Sequence, residues 1–231
     1  MRITKEILLK LTREKIARMT RADRGIVSIF LTGSLLGDDY LLGGTADVDL
    51  VVIHSDAPER DREVVFFTDD VPLDISHEAY RDYRQPRSLR VHPWMGPILD
   101  GCEILYDPQH FLEFTKASVR GQFNTAEHVI QRSRPQAEHA GQIWLELYSQ
   151  GGEDAGQKAD PGVLLKYLRS LDHAANAIAD LSDGPLTERR FLVGFQQRSQ
   201  AGGKGGLFPG LLGLIGGPNS SAEVLRSFVE E

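Results

Sequence analysis

The chain has 231 residues, 41% hydrophobic and 26% charged, a balance ordinary for a globular protein and enough for one large domain or two modest ones. Its formal charge is −7, and residues 1–110 carry 14 Lys and Arg against 19 Asp and Glu while the remainder carries 12 against 14. Neither half therefore offers the basic surface that a nucleic-acid polymer demands, and a cationic or small-molecule partner with metal ions suits the charge better. The single cysteine, Cys102, excludes an internal disulfide and a cysteine-built zinc site, and reads as a small buried hydrophobe.

At the N-terminus, MRITKEILLKLTREKIARM interleaves charges every few residues, so it lacks the apolar region of a signal peptide. No run approaches the roughly 18 apolar residues of a membrane span. A cytoplasmic protein is expected. Within residues 4–20, Ile7, Leu8, Leu11, Ile16 and Met19 recur close to helical spacing, which predicts an amphipathic helix. IVSIFL (26–31) predicts a buried strand, and VDLVVI (48–53) a second one after a glycine-rich loop.

EVVFFT (63–68) and VPLDIS (71–76), separated by Asp69 and Asp70, predict a hairpin. In the second run Val71, Leu73 and Ile75 alternate with Pro72, Asp74 and Ser76, so one face is apolar and the other presents a carboxylate. Arg81, Arg84, Arg87 and Arg90 lie in a less regular segment around Pro86, and ILDGCEILY (98–106) reads as two short pieces about a glycine.

From residue 111 helical patterns replace strand patterns. One or two helices are expected over 122–150, broken near Pro135, and GGEDAGQKAD (151–160) reads as a flexible connection. The clearest helix covers 163–181, with Leu164, Leu168, Leu171, Ala175 and Ile178 on one face, Asp160-Pro161 at its start and Gly184-Pro185 past its end. A further helix is expected from about Thr187 to Gln197. Residues 201–217 hold eight of the 23 glycines and read as a loop with an apolar middle, either a lid or a connection.

The chemistry concentrates in one ordered set. Asp47 and Asp49 lie two residues apart at the start of a strand, so their carboxylates share a face at a spacing suited to hard divalent cations, and Asp74 sits on the polar face of a third strand. Three clustered carboxylates repel one another unless a cation intervenes. Upstream, the backbone N–H groups of a Gly33-Ser34 turn leading into a helix, with the Ser34 hydroxyl, would form an anion site. Phosphate beside divalent metal is the arrangement that two-metal phosphoryl transfer requires.

Gly33-Ser34, a gap of 12 residues, Asp47-Val48-Asp49 and then Leu73-Asp74-Ile75 resembles the nucleotidyltransferase signature of the DNA polymerase β superfamily, especially its small bacterial members, the aminoglycoside nucleotidyltransferases among them. The resemblance implies an α/β nucleotidyltransferase fold, a mixed sheet flanked by helices over residues 1–110, followed by an all-α helical-bundle domain over 111–231 that shapes the acceptor site. It implies that Gly33 and Ser34 contact the triphosphate of ATP, that Asp47 and Asp49 bind Mg2+, and that Asp74 ligates the metal next to the acceptor and helps activate its hydroxyl. Transfer of AMP to a small-molecule hydroxyl, with release of pyrophosphate, is the implied activity.

Relatives often carry Ala-Arg-Gly after the Gly-Ser pair where this chain has Leu35-Leu36-Gly37, so a basic triphosphate contact is missing unless one of Arg81, Arg84, Arg87 and Arg90 supplies it. The acidic pair Asp38-Asp39 opposes an anion there. A nucleotide-binding or toxin–antitoxin-type protein that acts on a protein partner is the competing reading. His77 and Glu78 follow Asp74 closely enough either to support it or to end the strand. The seven histidines show no metal-ligand spacing. Glu146, Asp172 and Asp180 are candidates to line an acceptor pocket, against exposed polar helix faces. Trp94 and Trp144 are candidates for stacking, against simple packing.

Overall fold

A computed structural model describes residues 4–37, 40–41, 46–68, 71–150, 160–186 and 190–216. The Asp38-Asp39 pair, the Asp69-Asp70 turn and nearly all of the 151–160 connection lie outside them. The chain divides into two compact units, one of residues 1–90 and 95–123, the other of residues 91–94 and 124–231.

In the first unit, α1 (Lys5–Ala22) starts at Thr4, whose hydroxyl accepts the Ile7 N–H, and buries Leu8, Thr12 and Ile16. Five strands follow: β1 (Ile26–Thr32), β2 (Val48–His54), β3 (Arg62–Thr68), β4 (Val71–Ala79) and β5 (Glu103–Tyr106), in spatial order β3-β4-β2-β1-β5. β2 and β4 run parallel and the other neighbours antiparallel, so the sheet is mixed and flanked by helices. The irregular arginine segment contains a 3-10 turn (Tyr80–Tyr83) and α2 (Pro86–Val91). The two pieces about Gly101 are α3 (Met95–Gly101) and β5.

Strand alternation sorts the sheet into two faces. Ile29, Leu31, Leu50, Val52, Leu73 and Ile75 pack with Leu8 and Ile16 of α1. Phe30, Val51 and Ile53 point the other way, onto Tyr83, Leu89, Leu99, Leu112, Val119 and Phe123. Leu112 and Val119 belong to α4 (Phe111–Arg120). The first unit accordingly reaches Phe123 and does not stop at residue 110, because α4 completes the core of the second face. Cys102 is buried there, its thiol directed to the Leu99 carbonyl at 3.4 Å, and burial pushes its pKa up to about 11.

All described elements of the second unit are helices: α5 (Ala126–Gln150), α6 (Pro161–Ala179), α7 (Phe191–Ala201) and α8 (Leu207–Leu214). The expected break at Pro135 is absent, and α5 continues through it. Proline removes one intrahelical hydrogen bond, but α5 is held along its length by antiparallel packing on α6. The Ser133 hydroxyl donates to the Ala177 carbonyl at 2.6 Å, His173 and Gln136 meet at 2.6 Å, and the Ser170 hydroxyl donates to the Ala140 carbonyl at 3.1 Å.

At the start of α6, Asp160 caps the Gly162 N–H and Pro161 takes the first helical position, where its missing donor costs nothing. Of the expected apolar face, Leu171, Ala175 and Ile178 pack in the core, while Leu164 and Leu168 are 51% and 40% exposed. Residues 201–217 were expected as loop, yet α8 forms within them. Pro209 falls in its first turn, where an N–H is dispensable, and Leu211 is buried. Among the described residues no helix is long and apolar enough to cross a membrane.

Asp180, a candidate for an acceptor pocket against an exposed helix face, is only 1% exposed, and neither carboxylate oxygen accepts a hydrogen bond among the described residues. Burial raises its pKa to about 7, against the opposing pull of Arg198 and Arg132. The folded state therefore holds a proton that the unfolded chain releases near pH 4, so stability falls as pH rises from about 4 to about 7. Asp180→Asn should flatten that slope and be more stable than the wild type at pH 8, as measured by urea denaturation across the pH range.

Candidate active site

Of the two sheet faces, the one carrying Val51 and Ile53 also carries Asp49 and Asp74. Helices α2–α4 pack against Phe30, Val51 and Ile53, toward the β1 and β2 side, while Val64 and Phe66 of β3 are 52% and 61% exposed. Register places the carboxylates: Asp49 is the direct partner of Asp74 across the parallel β2–β4 pair, and Thr32 is the partner of Asp49 across β1–β2. Paired residues share a face, so two half-buried carboxylates stand side by side at the middle of the sheet.

Gly33 follows β1 with φ of 77° and a Cβ built there would lie 1.9 Å from Asp49 Oδ2. Glycine is required twice over, by the left-handed backbone and by the carboxylate filling the space of the absent side chain. Ser34–Leu36 form a single 3-10 turn, in place of the longer helix expected behind Gly33-Ser34. The geometry of the turn is held from two directions. The Ser34 hydroxyl donates to Asp47 Oδ1 at 3.3 Å, and Lys5 Nζ of α1 donates to the carbonyls of Leu36 and Gly37 at 3.3 and 3.0 Å.

Asp74 is engaged by a residue that sequence reasoning passed over. Arg62 of β3 grips it in a bidentate pair, Nε donating to Oδ1 at 2.7 Å and Nη2 to Oδ2. The signal was present in the hairpin: with β3 and β4 antiparallel, Val64 lies opposite Asp74, and Arg62, two positions away on the same face, is within diagonal reach. Two of the four arginines between residues 81 and 90 have partners of their own. Arg90 ties α2 to α4 through the carbonyls of Val119 and Ser118 and the Gln122 side chain, and Arg81 pairs with its neighbour Asp82.

Among the described residues no three His, Cys, Asp or Glu side chains gather as a metal-binding group. Asp47, Asp49 and Asp74 share one region, but Asp74 faces Arg62 and Asp47 faces Ser34. Their oxygen donors are the hard set that Mg2+ takes.

His77 and Glu78 part company. Glu78 lies on the Asp74 face, but it is tied to the buried Tyr83 hydroxyl, which donates to it, and burial raises its pKa. His77 lies on the opposite face, 2.9 Å from His54, which is 3.4 Å from Asp23 at the end of α1. Burial and the neighbouring His54 hold the His77 pKa down, and its Nε2 is buried without a hydrogen-bond partner among the described residues. The two histidines are 23 residues apart in sequence, and only the β2–β4 register, which pairs Val52 with His77, brings them together.

In the second unit Asp172 borders a cavity of about 520 Å³ lined by Leu168, Leu171, Phe191, Leu192 and Leu211. Glu146 is exposed on α5, and Trp144 and Trp94 are 48% and 38% exposed.

No protein-family model matches the chain, and no curated protein matches its sequence. One solved structure matches the chain at low similarity. It is the crystal structure of a nucleotidyltransferase-like protein from Exiguobacterium sibiricum, 14% identical, with a TM-score of 0.40 and a match covering 87% of this chain and 78% of that one.

Gly33→Ala should displace the Asp49 carboxylate and cost roughly 1–3 kcal/mol of stability through backbone strain, read as a lower denaturation midpoint. Arg62 is 67% exposed, so Arg62→Gln should cost about 1 kcal/mol or less in the same assay.

Proposed function

We propose that the chain is a nucleotidyltransferase of the DNA polymerase β type, which transfers a nucleoside monophosphate, AMP from ATP, to a hydroxyl of a small molecule. The observation that carries this reading is the in-register pair Asp49 and Asp74 on neighbouring strands, with a side-chain-free Gly33 packed directly against Asp49. A lone carboxylate on a strand has many explanations. Two on one face, bordered by a turn whose backbone has to come that close, are what a site for a triphosphate and a hydroxyl needs.

In the reaction, the acceptor oxygen bonds to the α-phosphorus as the bond from that phosphorus to the bridging oxygen breaks, and pyrophosphate leaves with that oxygen. The hydroxyl proton passes through the Asp74 carboxylate to water. The N–H groups of the Gly33-Ser34 turn and the Ser34 hydroxyl hold the triphosphate. Asp47, Asp49 and Asp74 would hold Mg2+, which when bound neutralises charge on the triphosphate and lowers the pKa of the attacking hydroxyl. Asp74 becomes available in exchange for Arg62, whose guanidinium then stands beside the reacting groups.

Calorimetric titration of ATP and GTP with and without Mg2+ tests the reading. Wild type should bind ATP only with Mg2+, and Asp47→Asn/Asp49→Asn should lose that binding with unchanged circular dichroism. Nucleotide binding indifferent to both the cation and the substitutions would overturn it.

A further inference from the structure

The sheet order sets the two flanks of the carboxylates apart. On the β1 side of Asp49 stands the Gly33-Ser34 turn. On the β3 side of Asp74, and on the same face, stand Val64 and Phe66, which alternate with Arg62 along β3 and are 52% and 61% exposed. Val64 is the register partner of Asp74, and Phe66 the partner of Pro72. Side chains of the other face of β3 behave differently: Phe67 packs into the core beneath α1. Exposed apolar side chains on an edge strand are ordinarily selected against, and here they adjoin a carboxylate in direct register.

We propose that Val64, Phe66 and Pro72 form an apolar shelf for the acceptor, and that the acceptor is a hydroxyl compound carrying an aromatic ring. This rests on the transferase reading, which places the triphosphate at the Gly33-Ser34 flank and leaves the β3 flank for the second substrate. The ring lies on Phe66 and Val64, and its hydroxyl-bearing part reaches Asp74, one register position away. Three side chains bury far less than the roughly 1,200 Å² that a stable protein–protein interface takes, which favours a small molecule over a second copy of the chain.

Phenyl β-D-glucopyranoside and methyl β-D-glucopyranoside share a sugar and differ in the ring, so together they isolate the shelf. Each is titrated into the full chain with Mg2+ and ATP present and followed by amide NMR. The phenyl compound should bind about tenfold more tightly, with shifts concentrated in β3 and β4, and Phe66→Ser or Val64→Ser should remove the difference while leaving Mg2+-dependent ATP binding intact. Equal affinities, shifts elsewhere in the chain, or a preference unchanged in both variants would overturn the shelf, and with ATP binding preserved the transferase reading would stand. Loss of ATP binding in the wild type would overturn that reading and with it the acceptor role of β3, even where the phenyl compound still binds there.

Discussion

Parallel pairing of β2 with β4 is the constraint on which the first unit depends. With Asp49 opposite Asp74 and Val52 opposite His77, a single register decides what each face carries. One face receives the carboxylates and the other receives the histidine pair capped by Asp23. A slip of one residue would exchange the faces and drive Asp74 into the packing around Leu73 and Ile75, so the hydrophobic pattern that fixes the core also fixes the site.

That register sets like charges beside one another, which is unfavourable across strands. The Arg62 pair offsets this without burying a cation, since the arginine is largely exposed and Asp74 only half-buried. An ion pair this exposed can exchange its partner without unpacking the core. The Gly33–Asp49 contact has no such freedom, because the space it uses exists only while residue 33 has no side chain.

The strands of the first unit were legible because alternation and apolar runs report directly on which face is buried, and the shared face of Asp49 and Asp74 follows from that alternation. Partners that depend on pairing were not. Arg62 opens a strand whose neighbour is reached only once the hairpin register is known, and His54 meets His77 only through the β2–β4 pair. In the second unit local rules gave the wrong answer twice, at Pro135 and in the glycine-rich 201–217 segment, because tertiary packing outweighed the propensity of one proline in α5 and of several glycines around Leu211 in α8. The helix expected behind Gly33-Ser34 is instead a single 3-10 turn, in which Leu35 is buried in the core.

β5 joins the sheet beside β1, and the Ser28 hydroxyl donates to the Tyr106 carbonyl across 78 positions of sequence. During synthesis, α1, β1 and β2 leave the ribosome long before the strand that borders them exists. One edge of β1 thus waits unpaired while about 50 more residues are made, a delay of several seconds at ordinary elongation rates. Every residue of the carboxylate face, from β1 to β4, is therefore made before the strand that completes the sheet.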